Sequence, residues 1–137
     1  MLDTNALVQV FGARSTFLPL QLAILNGQVA LAVSTAMLLE YEEVLSRYGG
    51  PTRWPRMWQV LELTGQIHSN LHRIEPAYQW RLVTADPDDD KFADCAIAAN
   101  AEWIVTEDMH FDVMKHSGHR PQPITPEAFI REVLPRL

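Results

Sequence analysis

The chain has little cysteine: Cys95 is the only one in 137 residues. One thiol excludes an internal disulfide and suits a reducing compartment. Its alanine-rich setting makes it a small hydrophobe rather than a reactive group. No apolar run approaches the roughly 20 residues that span a bilayer, and no signal peptide is visible. A cytoplasmic location is expected. Basic charge is scarce as well. Eleven Lys and Arg against 17 Asp and Glu give a net charge of −6, and Lys91 and Lys115 are the only lysines. That balance argues against binding nucleic acid through overall electrostatics. It leaves room for a substrate drawn to bound divalent ions and local arginines. Repeats, low-complexity tracts and linkers are missing, so residues 1–137 read as one domain, large enough for a core without staples.

What is present is an acidic stretch, Asp86-Pro-Asp-Asp-Asp90, and the helix it opens, expected over Lys91 to Ala101. Pro87 fixes its own φ and steers Asp86 out of helical geometry, so the helix starts just after it. Asp88 or Asp89 is expected to cap the first turn. Asp90 and Asp94 are four apart and share a helix face. A carboxylate among Ala and Ile is costly unless a cation sits on it. Trp103-Ile-Val-Thr106 reads as a short buried strand, with Glu107 and Asp108 at its C-terminal end.

Taken in order, Met1-Leu-Asp3-Thr-Asn5 looks like the last residues of a strand followed by a capped helix, Ala6 to Phe11. A strand normally runs about five or six residues, so this first one is expected to be abbreviated. A second helix is expected over Phe17 to Asn26, then a buried strand, Val29 to Val33. Ser34 can cap a helix from Thr35 to Tyr48, with Leu38, Tyr41 and Leu45 toward the core. Helix Pro55 to Ser69, strand Leu71 to Ile74 and a turn or short helix over Glu75 to Val83 follow. Beyond the acidic helix and the Trp103 strand come a polar loop, Met109 to Gln122, with one helical turn near Val113, an edge strand at Pro123-Ile124 and a last helix from Thr125 to about Val133. Strands alternating with helices predict an α/β fold: a three-layer α/β/α sandwich around a central, mostly parallel sheet. Ligands in such sheets gather at the carboxyl ends of the strands. Asp3, Glu40, Asp90, Asp94 and Asp108 fall at strand ends or early in the following helices. No local cationic partner is evident, except that Arg47 can reach Glu43.

Leu2-Asp3-Thr-Asn5, Val33-Ser34 with Glu40 six residues on, Asp86-Pro-Asp-Asp-Asp90 through Ala99, and Ile104-Val-Thr-Glu-Asp108 together resemble the PIN-domain nucleases. The closing Asp108-Met-His-Phe111 and Ile124-Thr-Pro-Glu-Ala-Phe129 are similar to the toxin branch of toxin–antitoxin systems. The resemblance covers nearly the whole chain. It implies that Asp3 is the metal-binding aspartate of the first strand, Glu40 the glutamate of the helix after the second strand, and Asp94 the aspartate before the small-residue helix. Asp108 closes the site, and Asp90 shares or replaces the role of Asp94. Asn5 and Thr106 resemble the polar residues that hold the carboxylates. Glu107 stands where Gly or Arg is common in the family, adding negative charge.

Several carboxylates in one place repel; a pair about 4 Å apart costs about 4 kcal/mol at an effective dielectric near 20. Such a cluster persists when protonated or cation-bound. Oxygen ligands select hard ions, Mg²⁺ or Mn²⁺, which can hold a scissile phosphate and lower the pKa of a water. The expectation is a metal-dependent endoribonuclease in which Asp3, Asp90, Asp94 and Asp108 bind metal and Glu40 is a ligand or orients water. By the resemblance, the products carry a 5′-phosphate and a 3′-hydroxyl, the chain forms a homodimer, and an antitoxin blocks the acidic groove.

Other readings stand beside this one. Asp3 and Asp108 can simply cap turns, Glu40 can be a solvated helix residue, and Asp90 can serve the helix dipole. His68, His72, His110, His116 and His119 raise zinc, but only His68 and His72 have helical i, i+4 spacing. The Arg53, Trp54, Arg56, Trp58 cluster can stack on single-stranded RNA or form a half-buried helix start. An inactive PIN module acting through protein contacts is one alternative function. A phosphatase-like hydrolase is another, disfavoured because Asp3-Thr-Asn5 lacks the second Asp of an Asp-x-Asp motif.

Overall fold

The structure, a computed structural model, describes residues 1–12 and 14–137, the side chains of His116 and Ser117 excepted. Asp3 follows the bridge residue Leu2 and caps helix α1 (Thr4–Val10), its Oδ1 accepting from Ala6 N at 2.8 Å. Helix α2 (Leu18–Leu25) leads to strand β1 (Leu31–Val33), buried along its length as a continuous apolar run should be. Ser34 caps helix α3 (Thr35–Gly49) by accepting from Met37 N at 3.3 Å, and α3 buries Met37, Tyr41 and Leu45. Helix α4 (Arg53–His68) packs beside α3 and returns the chain to strand β2 (Leu71–Arg73). An irregular segment follows where a turn or short helix was expected. A 3₁₀ turn (Pro87–Asp89) then feeds helix α5 (Asp90–Ala98) and strand β3 (Trp103–Val105). The polar loop expected after Asp108 is a 3₁₀ segment, Met109–Ser117, before strand β4 (Gln122–Ile124). Thr125 caps helix α6 (Pro126–Ala128), which widens into a π turn and then tightens into a 3₁₀ turn up to Arg136.

The fold is α/β with parallel strands, but its ladder is interrupted. β1 pairs with β2 and β3 with β4, both in parallel. Leu2 adds a parallel bridge to Val105, through Val105 N to Met1 O at 2.8 Å and Asp3 N to Val105 O at 3.2 Å. In a parallel ladder the Leu2 carbonyl then points away from β3. There it accepts a hydrogen bond from the Tyr41 hydroxyl instead of from β1. A side chain of α3 thus satisfies the outward-facing carbonyl of Leu2. Tyr41 is itself fully buried, with Trp54 and Phe92 against its ring at centroid distances of 5.8 and 6.4 Å.

The capping of the acidic turn differs from expectation. The acidic turn is capped by Asp86, whose Oδ1 accepts from Asp88 N at 3.0 Å; Asp89 makes no capping bond. Pro87 explains this. It forces Asp86 into an extended conformation, the geometry of a capping residue. Trp54 and Trp58 stack on each other at 5.7 Å, with Trp54 only 7% exposed and the Arg73 guanidinium 5.9 Å from the Trp58 ring. That cluster is a half-buried helix start.

Candidate active site

The carboxyl ends of Leu2's bridge and of β3 lie side by side, and the acids gather there. Asp3 is 6% exposed. Its Oδ2 accepts from the Thr106 hydroxyl, and Thr106 Oγ1 in turn accepts from Asp108 N at 2.9 Å. Thr106 therefore ties the Asp3 carboxylate to the Asp108 backbone N–H through one oxygen. Burial raises the Asp3 carboxyl above the usual carboxylate range; the nearby charges of Asp108 and Glu40 push the same way, against the Thr106 and Ala6 donors. Asp3, Glu40 and Asp108 thus share one electrostatic environment.

Glu40, half-buried on α3, is tied at both oxygens. Thr4 donates to Oε2, and Lys91 Nζ lies 2.9 Å from Oε1. Local spacing carries no sign of that cation, because Lys91 is 51 residues away along the chain. Asn5, expected to support the acids, is exposed, and among the described residues its side chain bonds to none of them. Thr4 takes the support role at Glu40.

Asp90 and Asp94 share a face of α5 as their spacing requires, and that face is clamped on the irregular segment before it. Asp94 Oδ1 accepts from Trp80 N, and Asp90 Oδ1 from Val83 N, each at 2.9 Å. Asp94 is 6% exposed. Burial raises its carboxyl, the Trp80 N–H opposes, and Asp90 adds repulsion. Both acids line a cleft of about 520 Å³ with Arg81 and Lys91. Among the described residues, the interactions place Asp94 with Asp90 rather than with Asp3. Lys91, next to Asp90 and paired with Glu40, links the two groups.

A third set was not singled out from sequence. Ligand atoms of Asp86, Asp89 and His110 all lie within 4.8 Å of one another. His110 Nδ1 is 3.4 Å from Asp89 Oδ2 and 3.3 Å from Asp108 Oδ1, and His110 N donates to Asp108 Oδ1 at 2.9 Å. Desolvation pushes the Asp89 carboxyl up to about 6, with Asp86 and Asp108 adding to it and His110 opposing. The signal available in the sequence was His110 two residues after Asp108. Helix α4 ends at His68, so His68 and His72 lie on different elements and the i, i+4 pair is not helical. The side chain of His116 lies outside the described residues. Cys95 is fully buried and its thiol is raised to about 11, an inert state. At the opposite ends of the strands an apolar cavity of about 470 Å³ opens between β1 and β3, and none of these acids lines it.

The family model described as PIN domain matches residues 1–110. The chain belongs to the PIN-domain family. No curated protein and no solved structure matches it significantly. PIN domains are in general nucleases, a class of hydrolase, and typically use divalent metal ions. The matched span contains Asp3, Glu40, Asp90, Asp94 and Asp108, and it ends at His110. Among the described residues, no helix of this PIN domain is long and apolar enough to cross a membrane.

Proposed function

We propose that this PIN domain is a metal-dependent endoribonuclease. The reading is carried by Thr106 holding Asp3 and Asp108 at adjoining strand ends, with Glu40 close enough to raise Asp3. The residues fit a hard divalent ion. They are oxygen donors crowded enough to shift one another, with one imidazole at the rim. Asp3 and Asp108 would hold the ion, with Asp90 and Asp94 contributing from α5. Once bound, Mg²⁺ or Mn²⁺ supplies charge to the phosphate and acidity to a water. Thr106 and Thr4 orient the carboxylates, and Glu40 accepts the proton of the attacking water or positions it. Lys91 neutralises Glu40 until then.

The same reading extends to a toxin held in check by an antitoxin and to a homodimer, both resting on the likeness of Asp108-Met-His-Phe111 and the C-terminal stretch to the toxin branch. An inactive PIN module that binds metal but acts through protein contacts is the second reading. It is favoured by Lys91 on Glu40 and by the clamp that engages Asp90 and Asp94. The deciding experiment compares RNA cleavage with Mn²⁺ by wild type and Asp3→Asn. Loss of cleavage in Asp3→Asn supports the nuclease, whereas equal rates remove it. Tight Mn²⁺ binding with no cleavage by wild type selects the second reading.

A further inference from the structure

The segment between β2 and the acidic turn has little regular structure, yet it is firmly placed. Its backbone is held at Trp80 and Val83 by the two carboxylates of α5, and Val83 is fully buried. What it carries outward is unusual for a connecting segment. Tyr78 is 64% and Trp80 48% exposed, and their rings meet edge to face at 4.7 Å and 60°. Exposed aromatics of this size lose hydrophobic stabilisation unless something covers them. Here they are mounted on an anchored backbone, so little ordering entropy is lost on contact.

The residues that alternate with the rings belong to the cleft. Gln79 and Arg81 line the cleft that holds Asp90, Lys91 and Asp94. Arg81 is exposed, has no acidic partner among the described residues, and adopts a left-handed φ of +54°. One strap therefore carries an exposed aromatic pair and, next to it in sequence, a cation that lines the acidic cleft. Alternating aromatic and cationic groups match single-stranded nucleic acid, whose bases stack while its phosphates seek positive charge. A duplex offers no free base faces to such a pair. A protein contact would use the rings but gives no reason for an unpaired Arg81 at the cleft wall.

We propose that Tyr78 and Trp80 form the base-stacking platform for single-stranded RNA, with Arg81 guiding the backbone toward the cleft. This rests on the nuclease reading for its purpose, but its test does not depend on cleavage. In EDTA, a fluorescein-labelled oligouridine is titrated with wild type, Trp80→Ala, Trp80→Phe and Tyr78→Ala, and then replaced by a duplex RNA. Wild type should bind the single strand more tightly than the duplex. Trp80→Ala and Tyr78→Ala should each weaken binding about 10-fold, and Trp80→Phe should keep most of the affinity. Thermal unfolding checks that the exposed substitutions leave the fold intact; if Trp80→Ala melts early, Trp80→Phe and Tyr78→Ala carry the comparison. Unchanged affinity in both alanine variants overturns the platform, as does wild type failing to bind or preferring duplex. A loss equal in Trp80→Phe and Trp80→Ala assigns the effect to strap shape and overturns it too. Unchanged RNA affinity with loss of a self-association seen in wild type assigns the rings to a protein contact. Should Asp3→Asn cleave like wild type while this series behaves as expected, the nuclease reading fails and the platform stands.

Discussion

Lys91 Nζ lies 2.9 Å from Glu40 Oε1, with both side chains about three-quarters covered. It is the one lysine among the acids, and it stands where a divalent ion would draw on the same carboxylate. An ammonium and a metal ion cannot both take Glu40 Oε1 at close range. Removing the ammonium should therefore help the ion. We expect Lys91→Met to lower metal-free stability by about 1–2 kcal/mol and to tighten Mn²⁺ binding several-fold. Calorimetric titration checks the second effect, and Lys91→Met combined with Glu40→Gln should erase the gain.

Thr106 is buried and holds Asp3 and Asp108 through one hydroxyl. Thr106→Val keeps the shape and removes the donor. An oxygen of the buried Asp3 carboxylate and the Asp108 N–H each lose a partner. Stability should fall by about 1–3 kcal/mol, measured by denaturant unfolding, and RNA cleavage should fall with it.

Asp89 carries the clearest pH signature. Its folded carboxyl is raised to about 6, chiefly by desolvation, against about 4 for an ordinary aspartate. The folded state therefore holds its proton more tightly than the unfolded state. Stability from this group is complete below about pH 4 and is lost as pH rises to about 6. Asp3 and Asp94 shift in the same direction. In metal-free protein, Asp89→Asn should gain stability relative to wild type across that window and show no further relative change above it. Thermal unfolding at several pH values, with and without Asp89→Asn, reads this directly.

The clamp on α5 separates charge from hydrogen bonding. Asp94→Asn retains an oxygen for Trp80 N, while Asp94→Ala leaves that N–H unpaired. Limited proteolysis between residues 76 and 86 should accelerate in Asp94→Ala and stay near the wild-type rate in Asp94→Asn. Cleavage of RNA should fall in both if the carboxylate charge matters.

Much of the fold could be read from the sequence. The apolar run ending at Val33, the capped helix after Ser34 and the strand after Ala101 follow from local pattern, and local pattern is what composition and periodicity report. The expectation of acids at strand ends came from the same alternation, whereas a supporting role for Thr106 was implied by the family resemblance alone. What did not show were contacts made across the chain. Nothing near Lys91 in sequence points to Glu40, and nothing near His110 points to Asp89, 21 residues before it. Whether Trp54 and Trp58 stack on RNA, form a partner surface or start a half-buried helix stayed open, because the first turn of a helix does not reveal which face its neighbours cover. The aromatic pair at Tyr78 and Trp80 went unremarked since an irregular segment has no periodicity to read; only the carboxylates of α5 fix its direction.

The most direct measurement is a crystal soaked in Mn²⁺ and examined for anomalous density. We expect a peak in coordinating contact with carboxylate oxygens of Asp3 and Asp108, lost in Asp3→Asn. Density only at remote surface acids, or none at high Mn²⁺, would contradict a metal-dependent site at these strand ends.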